Sequence, residues 1–314
     1  MKVHRHFKGI NWLIWSVVLG LLGFVTAVSV TVAAGFVENW DAATSSWFEL
    51  FSPGGSLIAA NHPDPQAEDG KVLELRLAAG SAPGPGNGPE TQTLNRFGYG
   101  TYSTRLKTAD CSGQPNAGVV TGYFVYFNDG QDANGNELPD NVEIDFEWLC
   151  AEPQVVYLTM WTDYRDSDEA QKRVSRAINL QSGTILYTCY FESFGTCQSL
   201  NGAENQPAAI TAIPDYDSSQ AYIVYGFDWS ANRVTWWMTD PASEQKIILW
   251  DYLNQERIPP PPAYYFTNLW HTANWTPDNK PEATQSPTVP VSVWVDWTRF
   301  EPSGLEVFLP LIQK

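Results

Sequence analysis

Three carboxylic acids, Glu143, Asp145 and Glu147, recur at every second residue within the segment Asn-Val-Glu-Ile-Asp-Phe-Glu-Trp-Leu-Cys at positions 141–150. The residues between them are apolar, and the side chains of a β-strand alternate between its two faces. The segment therefore predicts a strand with three acids on one face and apolar side chains on the other. Because like charges on one face repel each other, this crowding indicates a chemical role rather than an ordinary solvated surface.

The spacing of the outer acids, Glu143 and Glu147, suits the cleavage of a glycosidic bond. Four strand residues span roughly 13 Å, and two side chains that lean inward bring their carboxyls to about 5 Å. A retaining glycosidase needs two carboxyls about 5–5.5 Å apart, one ionised and one protonated. The middle acid, Asp145, would help to separate their ionisation, and the three acids would titrate as a coupled set.

The pentapeptide at 143–147 resembles the Glu-x-Asp-x-Glu signature of glycoside hydrolase family 16, which includes lichenases, laminarinases and xyloglucan transglycosylases. Further matches follow in the family's order: Tyr-Gly-Thr-Tyr-Ser-Thr-Arg-Leu-Lys at 99–107, Gly-Phe-Asp-Trp at 226–229, Val-Thr-Trp-Trp-Met at 234–238, Phe-Thr-Asn-Leu-Trp at 266–270 and Val-Asp-Trp-Thr-Arg-Phe at 295–300. The resemblance implies that Glu143 is the nucleophile, Asp145 its electrostatic helper and Glu147 the general acid and base.

The resemblance also implies residues that contact the sugar. Arg105 and Asn268 match positions at which the family binds substrate. Aromatic side chains near the site are expected to stack on pyranose rings, although each could instead belong to the hydrophobic core. These candidates are Trp161, Trp270 and Trp275.

A structural calcium ion away from the site is a further expectation from the family. The side chain of Asp296 and the backbone carbonyl of Gly70 match its ligands, and hard oxygen donors suit this ion. An ordinary aspartate at a strand end is the alternative interpretation of Asp296. The chemistry itself requires no cofactor.

The elements that must position these residues are short strands. Apolar alternation at 72–77, 222–225 and 291–295 is separated by turn-rich stretches such as 81–89. One large all-β domain, a two-sheet β-sandwich of the jelly-roll type, fits this pattern. The resemblance implies the same fold, with a concave sheet that forms a substrate cleft. Residues 167–177 are the best helical candidate, and a polar loop is the alternative there.

Four cysteines, Cys111, Cys150, Cys189 and Cys197, predict two disulfides in an exported chain. Three pairings are possible. If successive antiparallel strands occupy residues 99–108, 117–127 and 142–150, Cys111 and Cys150 lie at the same end of the sheet. The favoured pairing is therefore Cys111 with Cys150 and Cys189 with Cys197.

The first 34 residues predict an export signal. Lys2, Arg5 and Lys8 precede an apolar run that ends in the small residues Val-Ala-Ala at 32–34. An uncleaved membrane anchor is the alternative, because the run is long enough to span a bilayer. The expected organisation is a signal peptide at 1–34, a catalytic domain at 35–301, and a linker with an apolar tail at 302–314.

The charge balance limits the choice of partner. The chain has 18 Lys and Arg against 35 Asp and Glu, a formal net charge of −17. This excess disfavours nucleic acids and anionic membranes, so membrane contact is expected only if the leader remains uncleaved. A secreted monomer that acts on a neutral polysaccharide is the expectation.

The form of the pentapeptide narrows the predicted substrate. No residue is inserted between Asp145 and Glu147, and in the family this uninterrupted form goes with lichenases and xyloglucan-active enzymes. The prediction is a retaining endo-β-glucanase that hydrolyses mixed-linkage β-1,3-1,4-glucan. The alternatives are a xyloglucan-active hydrolase or transglycosylase, a carbohydrate-binding protein that has lost catalysis, and a structural surface protein held by an uncleaved leader.

Overall fold

The computed structural model describes residues 34–165, 170–192, 196–275 and 282–304. Nearly all of the predicted export signal and the apolar tail from residue 305 onward lie outside the described residues. Within the described part, regular structure consists of β-strands and three short 3₁₀ turns, Pro85–Asn87, Gly202–Glu204 and Gln255–Arg257. No helix in this part is long and apolar enough to cross a membrane.

The strands of the described part follow in chain order. They are β1 (Phe36–Glu38), β2 (Phe48–Phe51), β3 (Leu57–Pro63), β4 (Lys71–Leu77), β5 (Glu90–Thr93), β6 (Gly100–Lys107), β7 (Val119–Phe127), β8 (Asp140–Leu149), β9 (Val155–Arg165), β10 (Ala170–Asn179), β11 (Thr184–Phe191), β12 (Gln198–Ser199), β13 (Ile223–Trp229), β14 (Arg233–Thr239), β15 (Lys246–Leu253), β16 (Tyr264–His271) and β17 (Val291–Pro302).

These strands form two antiparallel sheets. One has nine strands in the order β12-β11-β10-β9-β8-β7-β16-β5-β2. The other has eight, in the order β15-β14-β13-β6-β17-β4-β3, with β1 paired to β17. The predicted all-β two-sheet fold is confirmed, and the segment that carries the three acids becomes β8, the fifth of the nine strands.

The core lies between the sheets because each strand is apolar on one face. On β8 the alternate residues Ile144, Phe146 and Trp148 are fully buried. Much of the chain's aromatic content serves this core, and five tryptophans are at most 1% exposed: Trp40, Trp148, Trp229, Trp236 and Trp250. The indole N–H of Trp236 on β14 donates to the backbone carbonyl of Asp145 at 3.0 Å and so links the second sheet to the middle of β8.

Both predicted disulfides are present. Cys111 pairs with Cys150, and Cys189 pairs with Cys197. The first joins the loop after β6, in the eight-stranded sheet, to the end of β8 in the nine-stranded sheet. It therefore fixes the C-terminal end of the strand that carries the acids.

Candidate active site

The acids lie on the face of the nine-stranded sheet that points away from the core, here called the carboxylate face. Antiparallel register aligns the residues of this face in three rows that cross the strands, and each acid occupies a different row. The row of Glu143 reads Tyr264, Tyr126, Glu143, Trp161, Arg173, Phe191; that of Asp145 reads Gln92, Phe266, Phe124, Asp145, Thr159, Ser175, Cys189; that of Glu147 reads Glu90, Asn268, Gly122, Glu147, Tyr157, Ala177, Tyr187.

Glu143 is held by an amide from its own strand. The side chain of Asn141 donates to the Glu143 carboxylate at 2.7 Å and in turn accepts from the Asn128 amide at 3.1 Å. Burial raises the pKa of Glu143 to about 7, while the Asn141 hydrogen bond and the positive charge of Arg173 act in the opposite direction. A donor that binds the charged form favours ionisation of this acid over its neighbours.

Asp145 is held from the next strand. The indole N–H of Trp161 donates to Asp145 Oδ2 at 3.0 Å, and the Asp145 side chain is 3% exposed. Burial, followed by the nearby charges of Glu143 and Glu147, raises the pKa of Asp145 well above the usual carboxyl range. A neutral Asp145 adds no second negative charge beside Glu143.

Glu147 differs from the other two acids because no side-chain donor of the described residues is aimed at it. Burial, and then the negative charge of Glu143, raises the pKa of Glu147 to about 8. The three acids therefore differ in how readily they ionise. Glu143 is the easier to ionise, and Glu147 keeps its proton to higher pH.

On one side of β8, the carboxylate face presents an amide and an acid. Asn268 on β16 and Glu90 on β5 are cross-strand neighbours, and the Asn268 amide donates to Glu90 at 3.5 Å. Asn268 is 3% exposed, and its Oδ1 atom has no hydrogen-bond partner. Gly122 leaves the room for it, since a Cβ atom there would lie 2.4 Å from Asn268 Oδ1. A cavity of about 550 Å³ continues beyond Glu90 along β2.

On the other side of β8, the face presents rings and a cation. The Arg173 guanidinium lies 4.8 Å from the ring centroid of Trp161 and 4.4 Å from that of Phe191. The next row along holds hydroxyls, with Thr159 and Ser175 hydrogen-bonded at 3.0 Å. The carboxylate face thus carries polar groups on both sides of the acids.

Trp270 and Trp275 pack on the carboxylate face in a small apolar cluster. This cluster includes Val120, Leu149 and Tyr157, and Trp275 meets the Tyr157 ring edge to face at 4.9 Å. The two tryptophans therefore border the row of Glu147. The structure brings together Glu143, Asp145, Glu147, Trp161, Asn268, Trp270 and Trp275 on one face.

Arg105 does not lie on this face, which corrects the prediction that it binds substrate. It is on β6, in the eight-stranded sheet, where its guanidinium pairs with Asp296 on β17. A period-two pattern shows which residues share a strand face but not which sheet the strand joins, so the sequence misplaced this residue.

The expected calcium ligands are engaged by the protein itself. Asp296, 2% exposed, pairs with Arg105 and accepts the Glu68 backbone N–H at 3.2 Å. The carbonyl of Gly70 accepts the backbone N–H of Asp64 at 3.0 Å. A guanidinium already supplies the positive charge beside Asp296, and the described residues contain no cluster of acids, histidines or cysteines suited to a metal ion. The residues present do not fit the predicted calcium site.

Among the residues of the face that were absent from the sequence prediction, three contact or act on the acids or Asn268: Asn141, Glu90 and Arg173. Asn141 lies in the same period-two series as the acids, so its position before Glu143 was a usable signal. Glu90 starts a short polar strand whose pairing with β16 depends on long-range register. Arg173 lies in a segment that the sequence assigned to a helix or loop, whereas the structure has β10 there.

Comparison with known proteins agrees with this arrangement. The family model described as glycosyl hydrolases family 16 matches residues 58–190, a range that includes all three acids. A beta-glucanase of Bacillus amyloliquefaciens is 21% identical over 291 residues, which cover 92% of this chain and 96% of that protein.

Solved structures share the fold. The catalytic domain of an endo-1,3-beta-glucanase (laminarinase) from Thermotoga petrophila RKU-1 aligns with a TM-score of 0.50 at 15% identity, covering 86% of this chain and 97% of that one. The Crh5 transglycosylase aligns with a TM-score of 0.51 at 15% identity, covering 87% of this chain and 86% of that one. The family-model match across the acid-bearing strand and the shared fold therefore make this chain similar to the glycosyl hydrolases of family 16.

Proposed function

We propose that the protein is a retaining endo-β-glucanase that hydrolyses a neutral β-glucan, with mixed-linkage β-1,3-1,4-glucan as the favoured substrate. The observation that carries the proposal is the unequal environment of two acids on one strand face. Glu143 receives the Asn141 amide at 2.7 Å, whereas Glu147 faces the charge of Glu143 without a side-chain donor among the described residues. One acid is thereby suited to act ionised and the other to act protonated.

The proposed chemistry is a double displacement. Ionised Glu143 attacks the anomeric carbon while Glu147 donates its proton to the departing glycosidic oxygen. Glu147, now ionised, removes a proton from water, which attacks the anomeric carbon and releases Glu143. Asp145, fixed by Trp161, lies between the two and contributes a neutral neighbour to the nucleophile.

The position of β8 supports cleavage inside a chain rather than at its end. β8 is the middle strand of nine, so the carboxylate face extends over four strands on either side of the acids. Asn268 and Glu90 would bind sugar hydroxyls on one side. Trp161 would border the other side, and Trp270 and Trp275 would flank the row of Glu147.

The choice of glucan rests on the uninterrupted pentapeptide and on the names of relatives. The Bacillus amyloliquefaciens relative is a beta-glucanase. The net charge of −17 and the three acids disfavour anionic glycans. Two disulfides support an extracytoplasmic, secreted protein, with residues 1–34 as its signal and 35–301 as the catalytic unit. We further propose that it acts as a monomer without a cofactor.

Release of reducing ends tests the proposal. The protein is incubated with mixed-linkage glucan, laminarin, xyloglucan and agarose, beside the Glu143→Ala variant and a folded control such as Asn134→Ala. Release that is strongest on mixed-linkage glucan and lost in Glu143→Ala would support the proposal. Preference for xyloglucan, or transfer to labelled oligosaccharides without net release, would favour the xyloglucan-active alternative.

Binding without turnover would contradict the proposal. Affinity electrophoresis on the same glucans separates that outcome from an inactive preparation. A wild type that binds glucan but releases no reducing ends or transfer products would indicate a carbohydrate-binding protein.

A further inference from the structure

Arg173 is a cation on the carboxylate face to which the proposed reaction assigns no role. It lies in the row of Glu143, separated from that acid by Trp161. Its guanidinium is held between two aromatic rings, Trp161 at 4.8 Å and Phe191 at 4.4 Å. Such placement fixes the position of a positive charge without a carboxylate partner.

The guanidinium of Arg173 has few direct hydrogen-bond or ion-pair partners. Its Nε atom is buried and has no hydrogen-bond partner. Within the described part of the chain, no carboxylate oxygen lies within 4.0 Å of an Arg173 side-chain nitrogen. An arginine that served only to stabilise the fold would be expected to bond its planar N–H groups to carboxylates or carbonyls.

The neighbour Arg176 shows that contrast. It is fully buried on the opposite face of β10 and donates to the carbonyls of Gln206, Pro207 and Leu249. Arg176 fastens a loop to the core. Arg173, three residues earlier on the same strand, does nothing comparable.

The charged and titratable groups that face Arg173 come from two elements. From β8 these are Glu143, Asp145 and Glu147, and from β11 the group is the Tyr187 hydroxyl. The rings of β9 and β11 that clamp it do not titrate. Arg173 is therefore the cation of the described residues that acts on all three acids together, and its charge lowers the pKa of each.

We propose that Arg173 is a positioning residue whose fixed charge sets the ionisation of the acid group and so places the working pH of the enzyme. This inference rests on the proposed function. Three acids crowded on one face would otherwise hold their protons more strongly, and Glu143 would remain protonated, and unable to attack, over a wider range of pH. A nearby cation stabilises the singly ionised state that the first step requires.

The test is the pH profile of kcat/KM on soluble glucan for full-length wild type, Arg173→Gln, Arg173→Met and Arg173→Lys. Loss of the charge should raise the pKa of every acid, so both limbs of the profile should move to higher pH by roughly 0.5–1 unit. Arg173→Lys, which keeps the charge, should stay near wild type. If Arg173→Gln does not fold, Arg173→Met serves in its place, because it removes the same charge and keeps an apolar stem between the rings.

Arg96→Gln is the matched control, because Arg96 is also stacked on a ring, that of Phe127 at 4.0 Å, but is not among the charges that shift the pKa of Glu143 or Glu147. A raised KM with unmoved limbs would overturn the proposal and assign Arg173 to sugar binding. A lower melting temperature with unmoved limbs would assign it to the fold. An inactive wild type would refute the proposed function instead, which separates the two failures.

Discussion

The side-chain amide of Asn141 lies 2.7 Å from the carboxylate of Glu143, two residues along the same strand face. It is the one hydrogen bond in the described structure that distinguishes Glu143 from Glu147. The chemical asymmetry of the pair therefore depends on a residue that takes no direct part in bond cleavage.

Removal of this amide should move the acidic limb of the pH profile. In Asn141→Ala the ionised form of Glu143 loses a donor, so its pKa should rise by about 1 unit. The limb then shifts to higher pH, and kcat/KM below it falls roughly tenfold. Asn134→Ala, which removes an exposed amide of the preceding loop, is the control. An unchanged acidic limb in Asn141→Ala would refute the role.

The wild-type enzyme should show a bell-shaped profile centred near neutral pH. In the proposed mechanism activity requires Glu143 to be ionised, with a pKa of about 7, and Glu147 to be protonated, with a pKa of about 8. Both limbs should therefore lie above the ordinary carboxyl range. In Glu147→Gln the alkaline limb should disappear, and the loss of rate should be smaller on aryl glycosides with activated leaving groups. Limbs at pH 4–5 would contradict this assignment.

The same shifts predict a stability effect. A carboxyl whose pKa is raised by folding contributes stability below its unfolded pKa, here the ordinary value of 4.5, and that contribution is lost as pH rises through the folded value. Glu147→Gln cannot ionise and escapes this loss. Its melting temperature should exceed that of wild type by a margin that grows between pH 5 and pH 8.5, reaching at least about 2 °C. A margin that is constant with pH would argue against a buried, raised-pKa acid.

Arg105 should stabilise the eight-stranded sheet, because its positive charge neutralises Asp296 as a bound cation would. Arg105→Met leaves the buried Asp296 charge unpaired, at a cost of about 3–5 kcal/mol, and the melting temperature should fall by about 6–15 °C. A chelator should leave the wild-type melting temperature unchanged. Arg299→Met, which breaks a more exposed pair with Glu301 at 3.8 Å, should have little effect. Chelator-induced destabilisation of wild type would restore the calcium hypothesis.

Gly122 should be intolerant of a side chain because of Asn268. A Cβ atom there would meet Asn268 Oδ1 at 2.4 Å, so Gly122→Ala must displace the amide from the row of Glu147. KM should rise about tenfold or more, as expected when a buried polar contact to the sugar is lost. Gly113→Ala, where no atom lies within 4 Å, is the control. Normal KM in Gly122→Ala would remove Asn268 from the proposed sugar-binding surface.

Local periodicity predicted the part of the site that lies on one strand. The acids of β8 share a face because their spacing is two, and the pairing of Cys111 with Cys150 followed from strands that succeed one another in the chain. Both inferences need only short-range geometry.

Long-range register explains what the sequence did not show. β10 was missed because both of its faces carry an arginine, Arg176 on the core face and Arg173 on the outer face. The segment therefore shows neither the two-residue periodicity of a strand nor the 3.6-residue periodicity of a helix clearly. Glu90 reaches the site only because β5 pairs with β16, which brings together residues separated by 178 positions in the sequence. Arg105 was misplaced for the same reason, since sheet membership is not encoded in strand alternation.

The three rows also give the protein a scale of length. Neighbouring strands are spaced at roughly 4.8 Å across the direction of the rows. A glucan laid along a row would therefore cross from one strand to the next about every 4.8 Å. If the proposed substrate lies in this direction, a substitution on a strand farther from β8 should act on a part of the glucan farther from the cut, and the width of the sheet should limit the length of glucan that the face can contact.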